Sequence, residues 1–267
     1  MGRLGAALEK IRHYGMPYYL RQTMRRSPYP ALSHGRYVKC VEGMKGLEIG
    51  GPSPVFRKDG LIPLYDFVGQ LDNCNYGENT VWEGHLTGGR TFKYSDNKPP
   101  GVQYLCEGGD LSEISDGGYD FILSSHMLEH SANPLKILKS WHRLLRRGGT
   151  LILLLPDKNW TFDHKRPVTT LEHLIEDFDA DIGEDDLTHL PEILRLHDLS
   201  RDPGAGDLEM FKARSERNFE NRCLHQHVFD KALVGEMLRE VGFEPQLLEL
   251  HQPLHISSIA SVGRRRL

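Results

Sequence analysis

Cysteine is scarce in this sequence, and no two cysteines have the spacing of a metal-binding pair. The 267 residues include only Cys40, Cys74, Cys106 and Cys223, which are far apart and form no CxxC motif. This pattern argues against a disulfide framework and against a cysteine metal site, and it fits reduced thiols. We therefore expect a cytoplasmic protein.

Long apolar runs are also missing. No segment approaches the roughly 18 apolar residues that a membrane-spanning helix requires, and the N-terminus lacks the apolar centre of a signal peptide. A GxGxxG fingerprint is absent as well, which argues against a nicotinamide-dependent enzyme. These absences favour an intracellular protein without a transmembrane segment.

No strong excess of either charge is present overall, since charged residues make up 26% of the chain and the net charge is −4. This balance argues against broad contact with nucleic acid. The distribution is uneven, however. Residues 1–36 carry seven cations against Glu9 alone, and residues 172–209 carry thirteen acids against Arg195 and Arg201. The basic start predicts either peripheral membrane contact or a helix packed on the domain edge, and the acidic run predicts a solvated surface.

Strand and helix patterns alternate from residue 47 onward. The predicted strands are Leu47–Ile49, Ile62–Phe67, Val102–Cys106, Tyr119–Ser124, Thr150–Leu155, Gln246–Leu250 and Ile256–Val262. The predicted helices are Asn133–Leu145, Thr170–Asp179 and Asp230–Val241. Alternating units of this kind are typical of an α/β fold. They predict a doubly wound, mainly parallel, seven-stranded sheet.

Two long segments interrupt the alternation. Gly69–Gly101 is polar and rich in glycine and asparagine, and residues 159–217 separate the fifth strand from the C-terminal units. A long insertion in a compact domain often forms a lid or a substrate wall. We predict a helical extension over residues 1–36 and one domain over residues 37–267 that includes the 159–217 insertion.

Two motifs stand at predicted strand ends. Gly46–Ser53 (GLEIGGPS) is an apolar strand running into a glycine turn, and Tyr119–His130 (YDFILSSHMLEH) is a strand ending in a polar bend. Ligands of open α/β sheets gather at the carboxyl ends of the strands, where glycines allow close approach of the backbone. The two motifs therefore predict a site for a nucleoside-like cofactor.

The same motifs resemble those of class I S-adenosylmethionine-dependent methyltransferases, most closely the small-molecule branch that includes ubiquinone-biosynthesis-type enzymes. The resemblance covers Gly46–Ser53, Leu64–Asp66, Gly109–Leu111 and Tyr119–Asp157. The segment from Pro156 to Pro167 is also similar to a bacterial subgroup associated with cell-surface sugars. The resemblance implies a Rossmann-like fold, S-adenosyl-L-methionine as cofactor, and a small-molecule or glycan acceptor.

The resemblance implies roles for the first two strand ends. Gly50 and Gly51 would lie under the methionine part of the cofactor, and Glu48 would order their turn. Asp66 would bind the ribose hydroxyls, because a carboxylate accepts two O–H groups. The sequence departs from the usual Glu-x-Gly-x-Gly turn at Pro52, where the family pattern has glycine.

The resemblance also implies roles further along the chain. Asp110 would accept from the adenine amine while Leu111 packs on the ring, and Ser125 and His126 would lie beside the sulfonium. The Asn/Asp-Pro-Pro-aromatic tetrapeptide of the amino-methylating nucleic-acid enzymes is absent. No nucleic-acid partner is therefore expected.

A hydroxyl acceptor needs a base, and the pKa of histidine lies near neutral pH. We predict His126, His164 and His227 as candidate catalytic residues. His225 is a weaker candidate, and the pattern at His130 favours a structural hydrogen bond. The predicted reaction is methyl transfer to a hydroxyl of a small molecule or glycan.

Other functions stay open at this stage. His126 and His130 could share a helical face and form a metal site with His225 and His227, which would fit a histidine-metal hydrolase. Such spacing is common by chance among fourteen histidines, and HExxH is absent, so no metal is expected. A non-catalytic partner protein with the cofactor fold is the remaining alternative.

Overall fold

The computed structural model of the protein describes residues 31–251 and 254–263. The amphipathic segment at residues 3–26, most of the predicted extension over residues 1–36, and the terminal run of arginines from 264 to 266 lie outside the described residues. No helix in the described ranges is both long and apolar enough to cross a lipid bilayer.

A twisted sheet of eight strands forms the centre of the described chain. Its strands are β1 (Lys45–Ile49), β2 (Gln70–Asn75), β5 (Gly89–Phe92), β6 (Gly101–Leu105), β7 (Tyr119–Ser125), β8 (Leu145–Pro156), β9 (Phe243–His251) and β10 (His255–Val262). The order is β5-β6-β2-β1-β7-β8-β10-β9. The five strands β6, β2, β1, β7 and β8 run parallel, whereas β5, β10 and β9 join antiparallel. The predicted doubly wound, mainly parallel fold is confirmed.

The sheet has one strand more than the seven predicted. The additional strand is β5, a short edge strand that pairs with β6. It lies inside Gly69–Gly101, the segment that the sequence pattern left without structure. A separate two-stranded ribbon, β3 (Asn79–Thr80) with β4 (Gly84–His85), lies in the same segment.

The prediction of the second strand at Ile62–Phe67 is wrong. Ile62 and Leu64 are buried, but their backbone N–H groups donate to Val55 and Phe56 rather than to a neighbouring strand. The strand itself is β2, whose sequence QLDNCN is polar and yet buried. The apolar pattern at residues 62–67 therefore marks buried residues that do not pair as a strand. The true strand, β2, has buried polar side chains and shows no such pattern.

Helices cover both faces of the sheet. Their bounds are α1 (His34–Lys39), α2 (Pro134–Leu144), α3 (Leu171–Asp179), α4 (Leu190–Leu196), α5 (Leu208–Ser215), α6 (Asn218–Asn221) and α7 (Lys231–Glu240). The first residues of two predicted helices cap them: Asn133 Oδ1 accepts from Lys136 N (3.0 Å), and Asp230 Oδ1 accepts from Leu233 N (2.8 Å). Each cap satisfies a helix donor that would otherwise have no partner.

Alternation along the central strands divides the core between two faces. On β7, Ile122 belongs to the apolar cluster under α2 and α7, whereas Phe121 and Leu123 belong to the opposite cluster with Tyr37 and Phe56. Successive side chains of a strand point to opposite faces, so a strand covered on both sides is apolar throughout.

The long insertion folds as a helical unit against the carboxyl edge of the sheet. It runs from the end of β8 to the start of α7 and contains α3 to α6. Ile193, Ala205, Phe211 and Leu224 form a small apolar cluster of its own. The insertion thus places its side chains opposite the strand ends of the domain.

Candidate functional site

A cavity of about 950 Å³ lies at the carboxyl ends of the parallel strands. Its floor includes Gly50 after β1, Asn75 at the end of β2, and Ser125 at the end of β7. The insertion provides the opposite wall. That wall includes Trp160, Phe162, Glu184 and Arg201, with Arg222 and His225 following. A cavity at this edge is where an open α/β sheet binds its ligands.

Glu48 organises the glycine turn after β1. The Glu48 side chain is fully buried, with Oε1 accepting from Ser53 N (3.0 Å) and Oε2 from the Tyr65 hydroxyl (2.9 Å). Burial raises the pKa of Glu48 to about 7. A Cβ at Gly51 would lie 2.2 Å from the Glu48 carboxyl carbon, so glycine is required there. Gly50 adopts φ +81° and lines the cavity.

Buried amides hold the same turn from the second strand. Asn73 Oδ1 accepts from Gly51 N (3.0 Å), and Asn73 Nδ2 donates to Gly51 O (3.2 Å) and to Gln103 Oε1 (2.9 Å). Asn75 Nδ2 also approaches Gly51 O, at 3.4 Å. Asn75, and not Asp66, is the polar side chain at the carboxyl end of β2.

The structure does not bring Asp66 to the cavity. Asp66 is exposed, precedes β2, and accepts a hydrogen bond from the Ser95 hydroxyl (2.8 Å). The ribose assignment depended on a strand that ends at Asp66. Because β2 begins four residues later, Asp66 lies at the amino end of that strand, opposite the predicted site.

The predicted adenine contacts lie beside the cavity rather than on its surface. Asp110 is exposed, and Leu111 is a core residue. Glu107 and Gly108, which precede Asp110 by three and two residues, line the cavity. The Trp141 indole N–H donates to Gly108 O (3.0 Å), which fixes this loop against α2.

His126 lies on the cavity wall beside Ser125. It has φ 52°, a left-handed conformation that directs the chain sharply away from β7. Its Nε2 lies 2.7 Å from Nδ1 of His255, and its Nδ1 lies 3.4 Å from Glu129 Oε1. Burial, and then the nearby His126, lower the pKa of His255 to about 3.

Glu129 places a buried negative charge at the cavity. Its side chain is 1% exposed, and neither carboxylate oxygen has a hydrogen-bond partner among the described residues. Burial alone would raise its pKa, but His126, together with His130 and His225, lowers the pKa to about 2. An ionised, unsatisfied carboxylate at a cavity wall suits a cationic ligand.

The Asp163–His225 pair is the strongest acid–base arrangement at the cavity. Nδ1 of His225 lies 2.5 Å from Asp163 Oδ2, and Asp163 also pairs with buried Arg166 (3.1 Å). Burial would lower the pKa of His225, but the Asp163 carboxylate raises it. The sequence made His225 only a weak candidate for the catalytic base. Its partner Asp163 is 62 residues away, and no local sequence pattern shows that the two side chains meet.

The other two predicted catalytic histidines lie outside the cavity lining. His164 Nε2 bonds Asp198 Oδ2 (2.8 Å) within the insertion. His227 is 1% exposed and bonds Asp177 and the Ser131 carbonyl. Alternation would place His225 and His227 on the same side of an extended chain. The chain bends at His227 instead, and the two rings contact different carboxylates, Asp163 and Asp177.

Two groups of side chains in the described chain lie within metal-ligand distance. One is Glu129, His130 and His225, and the other is His173, Asp177, His189 and His227. The structure does not bring the predicted metal set together: His130 and His225 belong to the first group, His227 belongs to the second, and His126 belongs to neither. In the first group, burial and His225 lower the pKa of His130 to about 4.

The residues present fit an S-adenosyl cofactor. Glycines leave space at the strand-end turn that a side chain would fill. A Cβ at Gly50 would lie 3.3 Å from Met127 Cγ, and a Cβ at Gly108 would lie 3.3 Å from Met127 Cε. The unsatisfied Glu129 carboxylate suits a sulfonium or an ammonium group. The volume exceeds what one such ligand requires and leaves room for an acceptor.

Comparison with known proteins agrees with the fold. A family model described as a methyltransferase domain matches residues 39–248. No protein among those with curated function matches the chain.

Several solved structures are similar at low sequence identity. A methyltransferase from Methanosarcina mazei is 16% identical, with TM-score 0.48, over 85% of this chain and 96% of that one. One from Aquifex aeolicus is 13% identical, with TM-score 0.43, over 96% and 98%. The Burkholderia thailandensis 1,6-didemethyltoxoflavin-N1-methyltransferase with S-adenosylhomocysteine is 12% identical, with TM-score 0.46, over 98% and 89%.

Proposed function

The chain belongs to the family of S-adenosylmethionine-dependent methyltransferase domains, and from this premise we propose that it methylates a hydroxyl group of a small molecule or glycan. Its cofactor is S-adenosylmethionine. When bound, the cofactor supplies a methyl group made electrophilic by its sulfonium. The proposal concerns the acceptor and the residues that handle it.

We assign the cofactor to the floor of the cavity. Gly50 and the Glu48-ordered turn would hold the amino-acid end, Asn75 the ribose, and Glu107 with Gly108 the adenine. Ser125 and the Glu129 carboxylate would face the positive charge. These residues lie at the carboxyl ends of adjacent strands, which supports one continuous site.

We assign the proton-accepting role to His225. Its Nδ1 is held by Asp163, so Nε2 is the atom left to take the proton of an acceptor hydroxyl. Asp163 orients the ring and stabilises the imidazolium that forms, as a carboxylate does beside a catalytic histidine. His126 is the alternative base, although its Nε2 already contacts His255.

The wall around His225 suits a hydroxylated acceptor. Trp82 and Trp160 provide aromatic surface, while Glu83, Arg201 and Arg222 provide polar groups at the same cavity. Aromatic faces combined with charged donors and acceptors are a suitable surface for a sugar-like molecule, which has both C–H faces and hydroxyls. The observation that carries the proposal is the acid-paired His225 at the cavity opposite the cofactor floor.

The test compares binding and turnover in His225→Gln, using product-cofactor calorimetry and a methyl-transfer assay on a panel of glycosides and small alcohols. We expect affinity for S-adenosylhomocysteine to change less than about threefold and kcat to fall about 10²–10⁴-fold. Asp163→Asn should lower the His225 pKa, because the main group that opposes the effect of burial is then lost, and should move the rise of kcat to lower pH.

His142→Gln, on α2 outside the cavity lining, is the matched control and should keep wild-type kcat. If His126→Gln loses turnover and His225→Gln keeps wild-type turnover, then His126 and not His225 is the base. A wild-type protein that binds the product cofactor but methylates only amines would refute the hydroxyl assignment. Absence of cofactor binding would instead support a non-catalytic partner protein.

A further inference from the structure

We propose that His173, Asp177, His189 and His227 form a structural site for Zn²⁺, or a similar borderline divalent cation, that joins three segments of the insertion behind the cavity. The four residues come from three separate segments. His173 and Asp177 are one turn apart on α3, His189 precedes α4, and His227 precedes α7. Their ligand atoms all lie within 4.8 Å of one another.

The donor atoms converge on one point. Nε2 of His173 lies 2.8 Å from Nε2 of His189, Nε2 of His227 lies 3.0 Å from Asp177 Oδ2, and Nε2 of His173 lies 3.5 Å from the same oxygen. With Zn–N distances of about 2.0–2.1 Å, the donors of a tetrahedral site lie about 3.3 Å apart. The cluster needs only small side-chain movements to reach that geometry.

The outer nitrogens of the three rings face oxygen atoms. Nδ1 of His227 lies 3.0 Å from the Ser131 carbonyl oxygen. Nδ1 of His173 and Nδ1 of His189 each lie 3.8 Å from a carboxylate, of Glu176 and Asp186 respectively. Metal-bound histidines almost always direct the second ring nitrogen to a carboxylate or carbonyl, which fixes the tautomer that coordinates through the first.

The contact between His227 and Asp177 needs either a second proton on the ring or a metal ion between the two groups. The Ser131 carbonyl only accepts, so Nδ1 of His227 must carry a proton. In the neutral ring, Nε2 then presents a lone pair to an Asp177 oxygen 3.0 Å away, and two acceptors repel at that distance. Either a proton or a metal ion between them removes the repulsion, and the neighbouring histidines favour the metal.

Charge and burial agree with this assignment. His227 is 1% exposed, and the side chains of Asp177 and His189 are 10% and 16% exposed, so the donor atoms are largely shielded from water. Three neutral imidazoles and one carboxylate partly neutralise a divalent ion, and the acidic residues 176 and 186 lie just outside. Four protein ligands complete a tetrahedral shell, which is the arrangement of structural and not of catalytic zinc.

Such a site would be connected to the cavity through residues that line it. His227 contacts Ser131 and donates its backbone N–H to the Glu129 carbonyl (3.4 Å), and both Glu129 and Ser131 line the cavity. A metal bound by α3, the α4 segment and His227 would therefore hold the insertion wall at a set distance from the strand ends. This inference does not depend on the identity of the methyl acceptor.

The test is metal analysis of untagged protein that has been dialysed against Zn²⁺ and then desalted. We expect one Zn²⁺ per chain, a tetrahedral d–d spectrum after replacement by Co²⁺, and a lower unfolding temperature after chelation. His173→Ala is the first variant because its side chain is 39% exposed, so folding should survive. It and His189→Ala should weaken Zn²⁺ affinity at least about 100-fold, beyond the loss seen for outer-shell changes.

His85→Ala removes an exposed imidazole outside the cluster and should retain one Zn²⁺ per chain. His130→Ala removes a member of the other group and should also retain it. A folded wild-type chain that takes up no Zn²⁺ would show that a shared proton holds the cluster together and would overturn the proposal. Zn²⁺ that survives His173→Ala and His189→Ala, or that is lost in His130→Ala, would overturn it as well.

Discussion

The two sides of the cavity are built on different principles. The floor is made by the backbone turn at the strand ends, where Glu48 Oε1 accepts from Ser53 N and Asn73 Oδ1 accepts from Gly51 N. The insertion wall is made by ionisable side chains that pair across long stretches of chain, such as Asp163 with His225. The structure of the floor is therefore maintained by the sheet, whereas the structure of the wall is maintained by buried side chains of opposite charge.

The sharpest way to break the wall is to remove Arg166. Its side chain is 1% exposed and bonds Asp163, Glu192 and the backbone carbonyls of His225 and Gln226. Arg166→Met leaves buried acceptors and charge without a partner, and we expect about 3–5 kcal/mol of destabilisation in denaturant unfolding. The His225 segment should also lose order.

Lys136→Met is the matched control for Arg166. It removes an ion pair with Asp181 in which both side chains are largely exposed. Such pairs contribute at most about 1 kcal/mol, so unfolding should barely change. Equal, small effects in both variants would mean that the wall does not rely on its buried charges.

The corresponding test of the floor is Glu48→Gln. The folded pKa of Glu48 is about 7, above its ordinary value of 4.5. The folded state binds the Glu48 proton more tightly than the unfolded state does. The contribution of protonated Glu48 to the free energy of unfolding is therefore greatest below pH 4.5 and is lost as the pH rises through 7. The variant should therefore gain about 3 kcal/mol over wild type above pH 7, and nothing near pH 4.

Glutamine fits the Glu48 position without new strain. The Tyr65 hydroxyl already lies 3.1 Å from Ser53 O, so it can donate there and accept from the new amide. Glu113→Gln, at an exposed position, should leave the pH dependence of unfolding as in wild type. Superimposable curves for Glu48→Gln and wild type from pH 4 to 9 would show that folding leaves the pKa of Glu48 near its ordinary value.

The floor and the wall also differ in how far the sequence predicted them. The strands around Glu48 and Ser125 and the doubly wound fold followed from apolar periodicity and from the resemblance. The position of β2 could not be predicted in this way. Its buried polar residues hydrogen-bond to the glycine turn and to a neighbouring strand, and a local sequence pattern does not show such contacts. The His225 pair and the His173 cluster were missed because their members meet only after the insertion folds.

The misplaced second strand gives the smallest but most specific prediction. With β2 ending at Asn75, Asn75→Ala should weaken S-adenosylhomocysteine binding roughly threefold to tenfold, the range of one lost hydrogen bond. Asp66→Ala should leave the affinity unchanged, since that side chain is exposed at the other end of the strand and contacts Ser95. Calorimetry on both variants, with unfolding measured in parallel, separates binding from stability. The reverse result, with binding lost only in Asp66→Ala, would mean that the bound protein rearranges this segment, because no small side-chain movement carries Asp66 along the length of β2 to the cavity.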